Sequence, residues 1–167
     1  MAGSSSHQIR NICAFGGSNP GKEIKFLESA NHLGQVLAER KIHLVYGGGN
    51  LGLMGGVSIA AFLGGSQVLG IVPKALAKGD IIGKTIEEEL QVSTISDRLN
   101  AMFNHADVFI VLPSGLGILE EIFHISFWAQ LHIHHKPIGL LNGNGFYDNL
   151  LSFLNQEVEQ EFLTSSA

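Results

Sequence analysis

The sequence predicts a doubly wound α/β fold, and three observations point to it. Five short apolar runs, residues 12–15, 43–46, 68–72, 108–112 and 138–141, do not alternate apolar with polar residues. Strands buried on both faces of a parallel sheet have that pattern. Helix-like segments separate the runs, so strands and helices alternate along the chain. Glycine-rich turns follow the first, second and fourth runs, at the strand ends where open parallel sheets hold their ligands. The expected architecture is a Rossmann-like parallel sheet with helices on both faces.

Taken in order, residues 1–10 open with Met1-Ala2-Gly3-Ser4-Ser5-Ser6 and are expected to form a flexible tail. Residues 11–167 are expected to form a single nucleotide-binding α/β domain. The segment 24–40 places Leu27, Ala30, Leu33 and Leu37 at helical spacing. Residues 51–63 are small and apolar nearly all round, which predicts a deeply packed helix. A third helix, 96–105, starts at Ser96 or Asp97, either of which can cap it. Segment 117–131 carries Leu119, Ile122, Phe123, Phe127 and Trp128, and 146–158 closes the chain. No internal repeat or inter-domain linker is visible.

Composition narrows the function. The chain has 167 residues, 45% hydrophobic and 15% charged, with 21 glycines. That is globular and unlike a disordered chain. A net charge of −5 argues against nucleic acid or an anionic membrane as a partner, so any phosphate site must be made locally. No run approaches the roughly 20 apolar residues of a membrane helix. The single cysteine, Cys13, lies in a predicted strand and reads as buried packing. A reducing compartment follows, and with no leader pattern at the start the expectation is cytoplasmic, with the nucleus as a second location.

Three loops are expected on one rim of the sheet. The first, Gly16-Gly17-Ser18-Asn19-Pro20-Gly21, is either a plain turn or a ligand-lining loop with a hydroxyl at Ser18. The second runs Tyr46-Gly47-Gly48-Gly49-Asn50-Leu51-Gly52-Leu53-Met54-Gly55. Gly47, Gly49 and Gly52 match the dinucleotide fingerprint G-x-G-x-x-G. The match is weak, because the next strand does not end in a carboxylate that would hold a ribose. Close helix–strand packing and a nucleotide-facing turn, through Gly48, Gly49 and Asn50, is the better reading. The third, Pro113-Ser114-Gly115-Leu116-Gly117-Ile118-Leu119-Glu120-Glu121, opens a helix and sets Glu120 and Glu121 in what reads as its first turn. Its small residues and unpaired amides suit a phosphate, and a carboxylate beside that pocket is a candidate catalytic group. The bland alternative is a tight turn whose carboxylates only complement the helix dipole. Arg98, in the preceding helix, offers a cationic fork suited to phosphate or carboxylate.

His132, His134 and His135 invite a metal reading, but no cysteine or carboxylate stands close by in sequence. A solvated loop is the expectation, with no metal. His124 shares a helical face with Glu120. There is no phosphate-loop Gly-Lys-Ser/Thr and no G-x-S-x-G elbow.

The three loops together resemble the Lonely Guy family of cytokinin-activating phosphoribohydrolases, which also carries a lysine decarboxylase label. The family's P-G-G-x-G-T-x-x-E reads here as the stretch 113–121. Its Y-G-G-G-x-x-G-L-M-G is similar to residues 46–55. Phe127-Trp128-Ala129-Gln130-Leu131 resembles T-W-A-Q-L, and Lys136-Pro137-Ile138-Gly139-Leu140-Leu141-Asn142 resembles K-P-V-G-L-L-N. The resemblance runs from about residue 12 to 163 and is strongest to plant members. It implies cleavage of the N-glycosidic bond of N6-modified adenosine 5′-monophosphates to a free base and ribose 5-phosphate, without a cofactor. It implies a phosphate at residues 115–117 and the helix start, a substrate site of Asp80, Ser114, Gly115, Leu116, Gly117, Ile118 and Glu120, a catalytic pair Arg98 and Glu121, and a homodimer. No lysine here sits in a pyridoxal phosphate pattern, so decarboxylation is not expected.

Four positions depart from the family pattern. Ser114 replaces a glycine, Ile118 a threonine, Leu99 a lysine and Phe127 a substrate-side threonine. The chain stops at Ala167 where relatives continue with a strand and a helix, so a bare sheet edge is expected. These departures leave a second reading, a catalytically impaired nucleotide-binding paralogue or regulatory subunit.

Overall fold

In a computed structural model, residues 8–77 and 82–164 are described. The strands are β1 (Asn11–Phe15), β2 (His43–Tyr46), β3 (Val68–Pro73), β4 (Glu88–Val92), β5 (Val108–Val111) and β6 (Ile138–Leu140). They form one sheet in the order β4-β3-β2-β1-β5-β6, and every pairing is parallel. The helices are α1 (Ile24–Glu39), α2 (Gly52–Leu63), the single turn α3 (Lys74–Ala77), α4 (Ile95–His105), α5 (Leu116–Gln130) and α6 (Asp148–Glu159).

The strand sequences sort themselves between two cores. On β1, Ile12 and Ala14 join α1 and α2 on one face, while Cys13 and Phe15 join α4 and α5 on the other. Successive side chains of a strand point to opposite faces, so an unbroken apolar run feeds both layers. Cys13 is fully buried in the second core.

Strand order positions the ligand site. From β1 the chain steps outward through β2 and β3 to β4, then returns to lay β5 on the other side of β1. β1 and β5 therefore flank the topological switch point, where doubly wound sheets open a crevice. The register sets Phe15 opposite Val111, so the loops leaving the two strands start level and side by side.

Four expectations are corrected. The sheet has six strands among the described residues, not five. β4 is Glu-Glu-Leu-Gln-Val, almost wholly exposed and paired only with β3. An edge strand protected by charge lacks the apolar run used to find the others. The cap of α4 is Thr94 rather than Ser96 or Asp97. Thr94 Oγ1 accepts from the Asp97 amide at 3.0 Å and Asp97 Oδ2 accepts from the Thr94 amide at 3.1 Å, a reciprocal capping box. α2 is deeply packed all round only over its first half, residues 53–58, whereas Ile59, Phe62 and Leu63 in its second half are exposed. Finally, the histidine loop is not wholly solvated. His134 is buried, bonding through Nε2 to the Ile125 carbonyl at 2.8 Å and accepting the Lys136 amide at Nδ1 at 3.0 Å. Nε2 must then carry the proton.

α1 and α2 pack closely because Gly34 faces α2. A Cβ at Gly34 would lie 2.8 Å from both the Ala60 Cβ and the Ala61 nitrogen and would strike the Val57 carbonyl. Helix propensity favours alanine by about 1 kcal/mol, but overpacking costs about 1–3 kcal/mol and here the obstacle is backbone. Gly34→Ala is therefore expected to lower stability by about 1–2 kcal/mol in urea unfolding; an unchanged or raised midpoint would show that the two helices separate freely.

Candidate active site

A cleft of about 720 Å³ opens at the switch point. Its walls are loop one after β1, loop three after β5, and the first turn of α2. Its floor holds the two charged groups that sequence reading singled out. Arg98, four residues after the Thr94 cap, reaches across from α4. Glu121 faces it from α5, with Arg98 Nη2 3.3 Å from Glu121 Oε1. Both side chains are largely buried, 15% and 7% exposed.

The approach of Arg98 depends on Gly47. A Cβ there would collide with the Arg98 guanidinium, so the glycine directly after β2 is the space in which the cation lies. Arg98 Nε and Glu121 Oε2 are buried without a hydrogen-bond partner among the described residues. Both residues line the cleft, so each keeps one polar atom unpaired just beneath its surface.

Burial pushes the Glu121 carboxyl up to about 7; Arg98 pulls it down and Glu120 adds a smaller push upward. Desolvation outweighs the attraction of the ion pair. The helix dipole does not reverse this, because α5 begins at Leu116 and has no acidic residue in its first turn. Glu120 and Glu121 lie in the second turn, a correction to the sequence reading, and the dipole's influence fades beyond the first. Complementing the dipole is not what Glu121 does.

Loop three supplies the rim. Gly115 is the N-cap of α5 and has no side chain to cap it. The amides of Ile118 and Leu119 turn back to the Gly115 carbonyl at 3.2 Å each. A Cβ at Gly115 or Gly117 would meet nothing within 4 Å, so no packing inside the protein demands glycine there. The open space above them lies in the cleft. Ser114 lines it too, its hydroxyl placed where a Cβ on Gly17 would sit. Leu116 is 84% exposed at the mouth, whereas Ile118 is buried in the core below.

Of the residues read as a site from sequence, Arg98, Glu121, Ser114, Gly115, Leu116, Gly117, Ile118, Glu120, Gly17 and Ser18 all border this cleft. Gly48, Gly49 and Asn50 do not. Gly48 and Gly49 have positive φ (77° and 84°) and press against Val72 and Ile82. The Asn50 amide donates to the Ile82 carbonyl at 3.0 Å. They hold the chain that follows β3, which is a packing role. Asp80 lies outside the described residues. Sequence reading missed an apolar wall made by Phe26, Leu53, Met54 and Phe146. Phe26 and Phe146 meet edge to face with centroids 5.6 Å apart. They are far apart in sequence, and only the helical spacing of α1 and the aromatic pair after β6 hinted at either. Among the described residues no group of three histidine, cysteine or carboxylate side chains is placed to hold a metal.

Fold and cleft define a doubly wound α/β protein with a glycine-rich helix start beside a buried carboxylate. Comparison with known proteins shows its family and finds its fold in solved structures. The family model described as "possible lysine decarboxylase" matches residues 54–167. A cytokinin riboside 5′-monophosphate phosphoribohydrolase of Arabidopsis thaliana is 48% identical over 160 residues, covering 96% of this chain and 75% of that one. A second from Arabidopsis thaliana, a probable member by name, is 44% identical over 100% of this chain and 83% of that one. The chain belongs to this family, the Lonely Guy phosphoribohydrolases. It spans only 64% of the length of a rice relative, a probable cytokinin riboside 5′-monophosphate phosphoribohydrolase, to which it is 47% identical over 96% of its own length. Among solved structures, the molybdenum cofactor binding protein of Rippkaea orientalis shares the fold at a TM-score of 0.69 and 24% identity, covering 90% of this chain and 87% of that one. The molybdenum cofactor carrier of Chlamydomonas reinhardtii does so at 0.65 and 21%, covering 88% and 86%.

The Glu121 carboxyl has a consequence for stability. Its folded value, about 7, lies above the ordinary 4.5, so between those values the native state binds more protons than the unfolded chain. Its contribution is therefore full below pH 4.5 and is lost as pH rises through 7, a change of about 3 kcal/mol. Glu121→Gln cannot titrate. Relative to the parent, its stability in urea is expected to improve by about 3 kcal/mol between pH 4.5 and 8; a difference that stays flat across that range would show an ordinary carboxylate.

Proposed function

We propose that this chain hydrolyses the N-glycosidic bond of N6-modified adenosine 5′-monophosphates, giving the free base and ribose 5-phosphate. The observation that carries the proposal is the buried Arg98–Glu121 pair with its unused Nε and Oε2 atoms, set below the uncapped start of α5. The names of the curated relatives support the substrate class.

In this reading the 5′-phosphate caps α5 over Gly115 and Gly117, where amide donors and the helix dipole favour an anion. Ser114 offers a hydroxyl in the cleft, which offsets the donor lost when Ile118 took the place of a threonine and turned into the core. As the bond between C1′ and the base nitrogen breaks, positive charge grows on the ribose. The Glu121 carboxylate stabilises that charge and orients water. The water oxygen bonds to C1′, and its proton leaves with the base. Arg98 keeps part of Glu121 ionised at neutral pH and holds it in place. The apolar wall of Leu53, Met54, Phe26 and Phe146 suits a base carrying an apolar substituent.

We also propose a homodimer. Leu116, Phe123 and Phe127 of α5 and Leu131 at its C-cap are 43–84% exposed and recur at helical spacing along the side that leads from the cleft mouth. A solvated helix does not carry such a stripe. Light scattering at micromolar concentration is expected to give twice the 17.9 kDa chain mass; a monomer would reject the assembly.

The ionised carboxylate is the working form, so kcat/KM for isopentenyladenosine monophosphate is expected to rise with pH and level off above about 7. Glu121→Gln is expected to abolish base release while keeping AMP affinity within a few fold. Parent-like turnover by that variant would make Glu121 structural and overturn the mechanism.

A further inference from the structure

The turn after β6 carries two aromatic residues with different surroundings. Phe146 lines the cleft. Tyr147 is buried, and its hydroxyl donates to the Leu112 carbonyl at 2.6 Å. Leu112 is the first residue past β5. Its amide still bonds to the Phe15 carbonyl of β1 at 2.8 Å, but its own carbonyl faces no further strand, because the chain turns away at Pro113 into loop three. A buried carbonyl there needs a partner, and Tyr147 supplies it.

Leu112 also supports loop one. A Cβ on Gly16 would come within 2.9 Å of Leu112 Cδ1, and the next residue, Gly17, abuts the Ser114 hydroxyl. Shifting the Leu112 peptide therefore moves both loops that face across the cleft. The turn carrying Tyr147 is itself braced. Asn142 Oδ1 accepts the Tyr147 amide at 2.7 Å, Asn142 Nδ2 donates to Asp148 at 2.7 Å, and Asn144 Nδ2 donates to Glu23 on the approach to α1 at 3.0 Å. Burial keeps the phenol up at about 12, so the hydroxyl remains a donor across the working pH range.

We infer that Tyr147 is a positioning residue for phosphate recognition: through its bond to the Leu112 carbonyl it sets the height of loop three beneath the substrate's 5′-phosphate. The inference rests on the phosphate reading above. Tyr147 touches no reacting atom and acts only through the loop, so its loss falls on ligands that carry a phosphate.

The test compares AMP with adenosine by calorimetry, and KM with kcat by base release, in the parent and in Tyr147→Phe. Removing the hydroxyl leaves the ring in place and the carbonyl unpartnered. AMP affinity is expected to fall about tenfold, adenosine affinity to stay within about twofold, and KM to rise with kcat little changed. If Tyr147→Phe does not fold, Asn142→Ala loosens the same turn from the surface and is expected to reduce AMP affinity selectively by a smaller factor. Equal losses for AMP and adenosine in whichever variant folds would make the tyrosine merely structural and overturn the inference. A parent that favours AMP, with a variant that keeps the full preference, would also overturn it and leave the phosphate reading standing. Equal affinities in the parent would instead reject the phosphate reading, and this inference with it.

Discussion

The arrangement turns on one unfavourable interaction, the burial of the Glu121 carboxylate opposite Arg98. Taking a charge out of water costs several kcal/mol, and one cation at 3.3 Å does not recover it here, since the carboxyl is left at about 7. The surrounding structure holds the pair together against that cost. The Thr94 capping box fixes the start of α4 and so the place of Arg98. Gly47 clears the space the guanidinium occupies. Glu121 sits on an α5 that buries Ile118, Ile122 and Ile125 in the sheet, so it cannot turn outward without unseating three core residues. A carboxylate that retains a proton until near neutrality is suited to acid–base work.

Sheet order explains why the pair has a cleft above it. β1 and β5 are neighbours in space although far apart in sequence, and α1 and α5 leave to opposite faces. The gap between their loops is where a ligand can reach backbone. The gap is lined both by glycine-rich polar loops and by Phe26, Leu53, Met54 and Phe146. The turn after β6 serves both, because Phe146 lines the cleft and Tyr147 holds the strand end from which the third loop departs.

Much of this was legible in the sequence because burial on both faces leaves an unmistakable run. β1, β2, β3, β5 and β6 all show as apolar segments, whereas β4 at the edge is charged and shows nothing. The third loop was readable from its small residues between a strand run and a helix, and its glycines at 115 and 117 stand in open space at the cleft. Sequence could not separate those glycines from Gly48 and Gly49, which look alike but serve positive-φ packing. It did set Glu121 beside the third loop, where it lies, but in the first turn of α5 rather than the second. Phe26, Phe146 and Tyr147 escaped notice because their roles depend on contacts between distant segments. His134 looked like its solvated neighbours until Phe103 and Phe109 closed around it.

The central claim is that Glu121 is a buried carboxyl poised near neutrality by opposing effects of burial and Arg98. The most direct measurement is a carbon-13 NMR titration of the glutamate side-chain carboxyls in the free protein, with Glu121→Gln used to assign the Glu121 signal. The account predicts a midpoint at about 7, clearly separated from the exposed glutamates. A Glu121 midpoint at the ordinary value near 4.5 would mean that water reaches the carboxylate freely, and would contradict the account.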